Sequence, residues 1–201
     1  MAKLKKQHMT IHWKAIVQDD SSIPATEATL KEKATLVGRI GLMMLSVGTG
    51  AWRVRNSMNK VSRCLGITCT ADIGLLAISY TCIEGTDTYT QSISLPTTGV
   101  NTHKLMELEL FMKEFPDKVS TCSVKHIHEV LDEIQKFPAN YKAWNLGLAS
   151  ALACGAFTFL LGGGPVEMCC AFLGAGVGNF VRKKMLGHSI SLLANVAVSV
   201  A

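Results

Sequence analysis

The sequence predicts an α+β cytoplasmic domain, with about four helices and a small antiparallel sheet, followed by an α-helical transmembrane bundle. The first observation is charge, because residues 1–142 carry all but three of the 20 Lys and Arg and all but one of the 15 Asp and Glu. The second is a pair of long uncharged runs after residue 142, and the third is a segment rich in Ile, Thr, Tyr and Ser between helical patterns. A charged half joined to an almost uncharged half is typical of a soluble domain attached to a membrane domain.

Residues 1–32 are predicted to be a disordered polar leader. They begin with the basic MAKLKK, contain QDDSSIPATEAT and show no sustained hydrophobic period. No apolar core with a small-residue cleavage site follows the basic residues, so we expect no secretory signal. The seven cysteines show no CxxC spacing, which favours free thiols in a reduced compartment. The net charge of +5 is spread along the chain, so no nucleic-acid partner is expected.

Residues 33–141 are predicted to form the α+β domain. The segment opens with two helical patterns, of which the second carries an apolar stripe and ends at Gly66. This stripe consists of Val54, Met58, Val61 and Leu65. The next stretch is ITCTADIGLLAISYTCIEGTDTYTQSISLP, whose β-branched residues and turn at residues 84–87 indicate two or three antiparallel strands.

Two more helices are predicted after the sheet. Asn101 is placed to cap the first of them, and Pro116 is expected to end it because proline has no backbone N–H to donate. The second has apolar residues at helical spacing. These residues are Val124, Ile127, Leu131 and Ile134.

Residues 142–201 are predicted to hold transmembrane helices at about 143–162 and 165–184, with a truncated third from 188. Residues 143–166 contain no charged side chain, and a spanning helix needs about 20 such residues. The run from residue 188 has 14 residues and is too short to span, so we expect the sequence to be cut inside a helix. The alternative is a buried helical hairpin of a soluble protein, which a core this small does not favour.

Basic residues on both flanks of the uncharged half predict its orientation. Lys142 precedes the first run, and Arg182, Lys183 and Lys184 follow the second. By the positive-inside rule both flanks are cytoplasmic, so the α+β domain is cytoplasmic and the GGGPVE turn is external. Glu167, the one carboxylate in this half, would then lie near the outer interface, where water reaches it.

Three polar residues are candidates for a solute path. Glu167 interrupts the apolar sequence FLLGGGPVEMCC, and Asn179 and Asn195 lie at membrane depth, where amide side chains face the interior of a helix assembly by default. Small residues at four-residue spacing, such as Gly147, Ala151 and Gly155, indicate close helix packing, within one chain or between subunits.

No catalytic, metal or cofactor site is predicted, and the chain is expected not to be an enzyme. Cys122, His126 and His128 could be considered as metal ligands, but two histidines two positions apart on a helix do not face the same way. The Gly48-Thr49-Gly50 sequence lacks the GxxG continuation of a dinucleotide loop.

Several short motifs occur in a recognisable order. GTGAWRVRNSMNKVSRCLG, which includes Gly50, Ala51 and Arg53, comes before the strands. GVNTHKLMELELF, which includes Asn101, and VKHIHEVLDEIQKFP come after them, and a Trp then opens the first uncharged run. In this order the motifs resemble the threonine/serine exporter family over about residues 33–201.

The resemblance implies a multi-pass cell-membrane protein with a cytoplasmic N-terminal domain. It would be a subunit or fragment of a secondary exporter of small hydrophilic metabolites, most of all threonine and serine, working by alternating access. Its partners would be a second small membrane subunit or a missing C-terminal half, other copies in an oligomer, membrane lipid and the small-molecule substrate. The alternatives are a dicarboxylate export subunit, a membrane-anchored regulatory or binding domain, and a membrane-bound enzyme using Arg53, His103 and Glu107.

Overall fold

The computed structural model describes residues 12–17, 23–95, 98–137 and 141–187. The chain divides into two compact units, Met1–Pro138 and Ala139–Ala201. After two 3-10 turns, Trp13–Ala15 and Ala25–Glu27, the first unit contains α1 Leu30–Ser46, α2 Ala51–Cys64, β1 Thr68–Ile73, β2 Ala77–Glu84, β3 Asp87–Ser94, α3 Thr102–Val119 and α4 Val124–Lys136. The second unit contains α5 Ala143–Leu160 and α6 Pro165–Gly187.

The predicted fold class, an α+β domain followed by an α-helical transmembrane bundle, is wrong. The chain is helix-rich, with a three-stranded antiparallel sheet in its middle at residues 68–94. Within the part of the chain that the structure describes, one helix, α5, is long and apolar enough to cross a membrane.

The second predicted span, at 165–184, falls on α6, which does not meet the same criterion. Every stretch of 18 residues in this helix contains the polar Asn179 and the charged Arg182, which lower its mean hydropathy. In addition, the uncharged run at residues 168–181 is shorter than the roughly 20 residues that a membrane span requires. The predicted third helix from 188 lies outside the described residues.

Helix α1 forms the centre of the first unit. It begins with a capping box, in which Thr29 accepts from the backbone N–H of Glu32 and the Glu32 side chain accepts from the N–H of Thr29. Almost the whole helix is buried, as expected for a helix that is apolar on most sides. The buried Lys33 is compensated by Glu84 of β2, with 2.5 Å between Nζ and Oε1.

The predicted stripe of α2 is confirmed, because Val54, Met58, Val61 and Leu65 are all buried in the core of the first unit. The helix ends where Gly66 adopts a φ of +73°, a left-handed conformation that glycine takes without strain.

The sheet has the strand order β1-β2-β3, with Cys69 opposite Cys82 and Tyr80 opposite Gln91. Its exposed face is polar, and Thr81 and Thr90 make a cross-strand hydrogen bond of 2.9 Å. Its other face packs on α1, where the Tyr80 ring comes so close that a Cβ on Gly38 would lie 2.2 Å from the Tyr80 hydroxyl oxygen.

The prediction that Pro116 ends the third helix is wrong, because α3 continues through it to Val119. A proline at this position removes the N–H that would bond the carbonyl of Met112, four residues earlier. Lys60 of α2 supplies the missing donor, with 2.7 Å between its Nζ and the Met112 oxygen. The carbonyl is therefore satisfied from a neighbouring helix.

Candidate functional site

The motif residues Gly50 and Asn101, distant in sequence, lie at two helix starts of the first unit. Gly50 is the N-cap of α2, and Asn101 is the N-cap of α3, where its side chain accepts from the Lys104 N–H at 3.1 Å. The backbone N–H of Asn101 also donates to the carbonyl of Val47, which follows α1, at 3.2 Å. The two motifs therefore connect the end of α1 with the starts of α2 and α3. We call the residues at this point, among them Val47, Gly50 and Asn101, the helix junction.

A close backbone approach shapes the helix junction. Gly48 has a φ of +79°, and a Cβ there would lie 3.2 Å from the backbone nitrogen of Val100. Both observations explain glycine at this position, because a larger residue would be strained and crowded.

The other two motif positions of the helix junction are exposed. Ala51 is the first residue of α2, and the Arg53 guanidinium lies 3.4 Å from the Glu109 carboxylate of α3, with both side chains nearly half exposed. Such an exposed ion pair contributes little to stability. Among the motif positions, Gly50 and Asn101 thus have a structural role as helix N-caps.

A cleft that clusters Arg53, His103 and Glu107 would favour the enzyme alternative. Arg53 pairs with Glu109, and the His103 ring contacts the edge of Phe137 at 5.1 Å between centroids. Within the described ranges no group of three His, Cys, Asp or Glu residues could hold a metal ion.

A buried polar cluster between α1 and α4 was not predicted. Arg39, in the middle of the apolar α1, pairs through Nη2 with Asp132 and donates from Nη1 to the carbonyl of His128 at 2.8 Å. Trp13 stacks on the His128 ring, at 4.9 Å and 9°, and donates to Asp132 at 3.4 Å. We call these four residues the Arg39 cluster.

Burial determines the charges in the Arg39 cluster. It lowers the pKa of His128 to about 3, with a further contribution from the positive charge of Arg39, so the imidazole is neutral near pH 7. Burial also lowers the pKa of Arg39, whereas its bond to Asp132 acts in the opposite direction. The cluster is therefore one buried cation compensated by one carboxylate. The sequence signal was a lone charge in the apolar run LVGRIGLMML, the same kind of signal that drew attention to Glu167.

The helices of the second unit pack through small residues. Gly147, Ala151 and Gly155 of α5 are buried, and a Cβ on Gly147 would lie 3.1 Å from the carbonyl oxygen of Gly176 in α6. This close approach is what small residues at four-residue spacing permit. The packing that the spacing indicated therefore occurs within the chain.

The structure separates the predicted solute-path residues. Glu167 is exposed in the first turn of α6, and its carboxylate lies over the glycine turn, so that a Cβ on Gly164 would be 2.8 Å from Oε2. Asn179 instead faces α5 and donates to the Leu146 carbonyl at 3.4 Å. The twelve positions between them correspond to about 18 Å along the helix. Asn195 lies outside the described residues.

Comparison with known proteins agrees with the order of motifs. The family model described as "Putative threonine/serine exporter" (ThrE) matches residues 35–201, which include most of both compact units. No curated protein and no solved structure matches the chain at a significant level. The matched region contains the helix junction, Asp132 and Glu167. The chain therefore belongs to the threonine/serine exporter family.

Proposed function

We propose that this chain is a subunit of a secondary exporter that moves threonine and serine out of the cell. The observation that carries the proposal is the family match, because it covers the helix junction, the sheet and both helices of the second unit. As a member of an exporter family, the chain is a membrane transport protein. Helix α5 is long and apolar enough to cross the bilayer.

Glu167 is the residue that we propose acts on the transported solute. Its carboxylate is exposed at the glycine turn, whereas Asn179 is occupied by a hydrogen bond between helices. An exposed acid can take up a proton or attract the ammonium group of an amino acid. The competing explanation is structural, because a carboxylate in the first turn of a helix is favoured by the helix dipole by about 0.3–1 kcal/mol.

A transport assay tests the proposed substrate. We expect cells that express the chain together with a second membrane subunit to release radiolabelled threonine and serine faster than cells that express neither. Release of succinate alone would instead identify a dicarboxylate exporter. If none of the three solutes is released although the chain reaches the membrane, the proposal is wrong, and the alternative of a membrane-anchored regulatory or binding domain is favoured.

We expect Glu167→Gln to abolish this efflux at unchanged expression, because the amide keeps the volume and loses the charge. Glu167→Asp is the matched control, since it keeps a carboxylate in the first turn of α6 and should retain part of the activity. Efflux per unit of protein is measured at several external pH values. Unchanged efflux of Glu167→Gln at every pH would show that Glu167 only stabilises the helix start.

We further propose that α5 and α6 both cross the membrane, with the first unit in the cytoplasm and the glycine turn outside. The support is the set of basic residues at both outer ends of the helix pair, Lys142 and residues 182–184. A cysteine replacing Gly163 should then react with an impermeant thiol reagent on intact cells, while one replacing the exposed Thr86 should not, each measured above the level of the unmodified chain. Labelling of Thr86→Cys without Gly163→Cys would reverse the orientation.

A further inference from the structure

The helix pair α5–α6 carries an apolar groove of about 210 Å³ on one side. Its floor consists of the small residues Gly147, Ala151 and Gly176, which let the two backbones approach and leave a depression above them. Its walls are larger side chains, among them Trp144 and Val177, which are 70% and 61% exposed. The groove is therefore open along its length and lined by carbon.

The two ends of the groove differ in charge. At one end Trp144 meets the Phe180 ring edge to face, at 6.4 Å, and the Lys184 ammonium lies 5.9 Å from the centroid of the same ring. Lys142 precedes α5 at this end. At the opposite end of the helix pair are the glycine turn and Glu167. A ligand with an apolar tail and an anionic head would therefore fit in one direction only.

We propose that this groove binds an anionic phospholipid, with an acyl chain along the small-residue floor and the phosphate beside Lys184. From Phe180 to Phe172 the groove follows eight residues of α6, about 12 Å, which is most of the roughly 15 Å depth of one hydrocarbon leaflet. Trp144 at the basic end has the position typical of an aromatic residue at the membrane interface. Basic pockets between membrane helices are known to select anionic head groups. The proposal rests on the proposed membrane location of α5 and α6 and not on which solute is exported.

Trp144 provides the probe. The full chain is reconstituted in phosphatidylcholine vesicles that contain phosphatidylglycerol, with either the first or the second lipid brominated, since bromine quenches tryptophan emission on contact. The emission of Trp144 is obtained by subtracting that of the Trp144→Phe variant, because Trp13 and Trp52 also emit. At equal mole fraction we expect brominated phosphatidylglycerol to quench Trp144 more strongly than brominated phosphatidylcholine.

Two pairs of variants separate the head from the tail. Lys184→Gln should lower the relative affinity for phosphatidylglycerol about fivefold, the effect of one basic side chain at an anionic lipid surface, while Lys183→Gln, the control at the same helix end, should change it little. Val177→Phe should fill the groove and reduce quenching by both lipids. Val166→Phe changes another exposed valine, outside the groove, and should not reduce it.

Three outcomes would overturn the proposal. Equal quenching by the two brominated lipids would mean that the groove has no head-group preference. Equal losses in Lys183→Gln and Lys184→Gln would mean general attraction to the surface rather than a site. The absence of quenching by either lipid would mean that protein covers the groove, either another segment of this chain or a second copy.

Discussion

Replacing Met58 with aspartate is expected to lower the free energy of unfolding of the first unit by at least about 4 kcal/mol, a large part of the roughly 5–15 kcal/mol that stabilises a typical domain. Met58 is fully buried on the stripe of α2, and its sulfur lies so close to α1 that a Cβ on Gly41 would be 2.6 Å from it. The change removes this packing and introduces a carboxylate into an apolar core. Denaturant unfolding of the full chain in detergent, followed by tryptophan emission, measures the loss, because the buried Trp13 reports on this unit.

Asn56→Asp is the matched control for Met58→Asp. It introduces the same charge two positions earlier on α2, where the side chain is exposed, and should change the free energy of unfolding by less than about 0.5 kcal/mol. Met58→Leu keeps the volume and should cost less than about 1.5 kcal/mol. Similar losses for Met58→Asp and Asn56→Asp would contradict the burial of the α2 stripe.

Replacing Asp132 with alanine is the second large effect, an expected loss of about 3 kcal/mol. The reason is asymmetry in the Arg39 cluster: the Arg39 side chain is 6% exposed and that of Asp132 is 34% exposed. Removal of the carboxylate leaves the almost fully buried guanidinium without a counter-charge. The same unfolding measurement applies, and the near-ultraviolet signal of the stacked Trp13 should weaken with it.

Glu133→Ala provides the comparison for Asp132→Ala, since it removes the neighbouring carboxylate of the same motif. Glu133 pairs with Lys136 at 2.7 Å, but both side chains are more than two-thirds exposed, so we expect a loss below about 1 kcal/mol. Arg39→Met should cost less than Asp132→Ala, because the remaining carboxylate can turn towards water. If Arg39→Met proves the more damaging variant, the cluster is not governed by a buried cation.

Local signals in the sequence predicted local structure well. The apolar stripe of α2, the turn between β2 and β3 and the cap at Asn101 are each encoded within a few neighbouring residues, and the structure contains all three. The second span was predicted by adding the residues before Glu167 to a short uncharged run, and α6, which begins at Pro165, does not meet the apolar criterion that α5 meets.

Contacts between distant residues could not be predicted from the sequence. Arg39 and Asp132 are 93 positions apart, and the sequence around each residue contains no feature that indicates the other as its partner. Trp13 is buried although it belongs to the segment that we predicted as a polar leader, since one aromatic side chain does not produce a hydrophobic period. Glu167 was identified because its apolar surroundings made a charge conspicuous, and Arg39 shows that the same reasoning applies inside the core of the first unit.

The bond from Lys60 to the Met112 carbonyl makes two positions on different helices energetically dependent on each other. With Pro116 in place, Lys60 satisfies an acceptor that the helix itself cannot, so its removal leaves a carbonyl without a donor. With a residue that supplies an N–H at position 116, the same lysine would be dispensable. The effects of substitutions at positions 60 and 116 on the free energy of unfolding are therefore not additive. A residue of α2 and a residue of α3 depend on each other in this way although neither belongs to the apolar core.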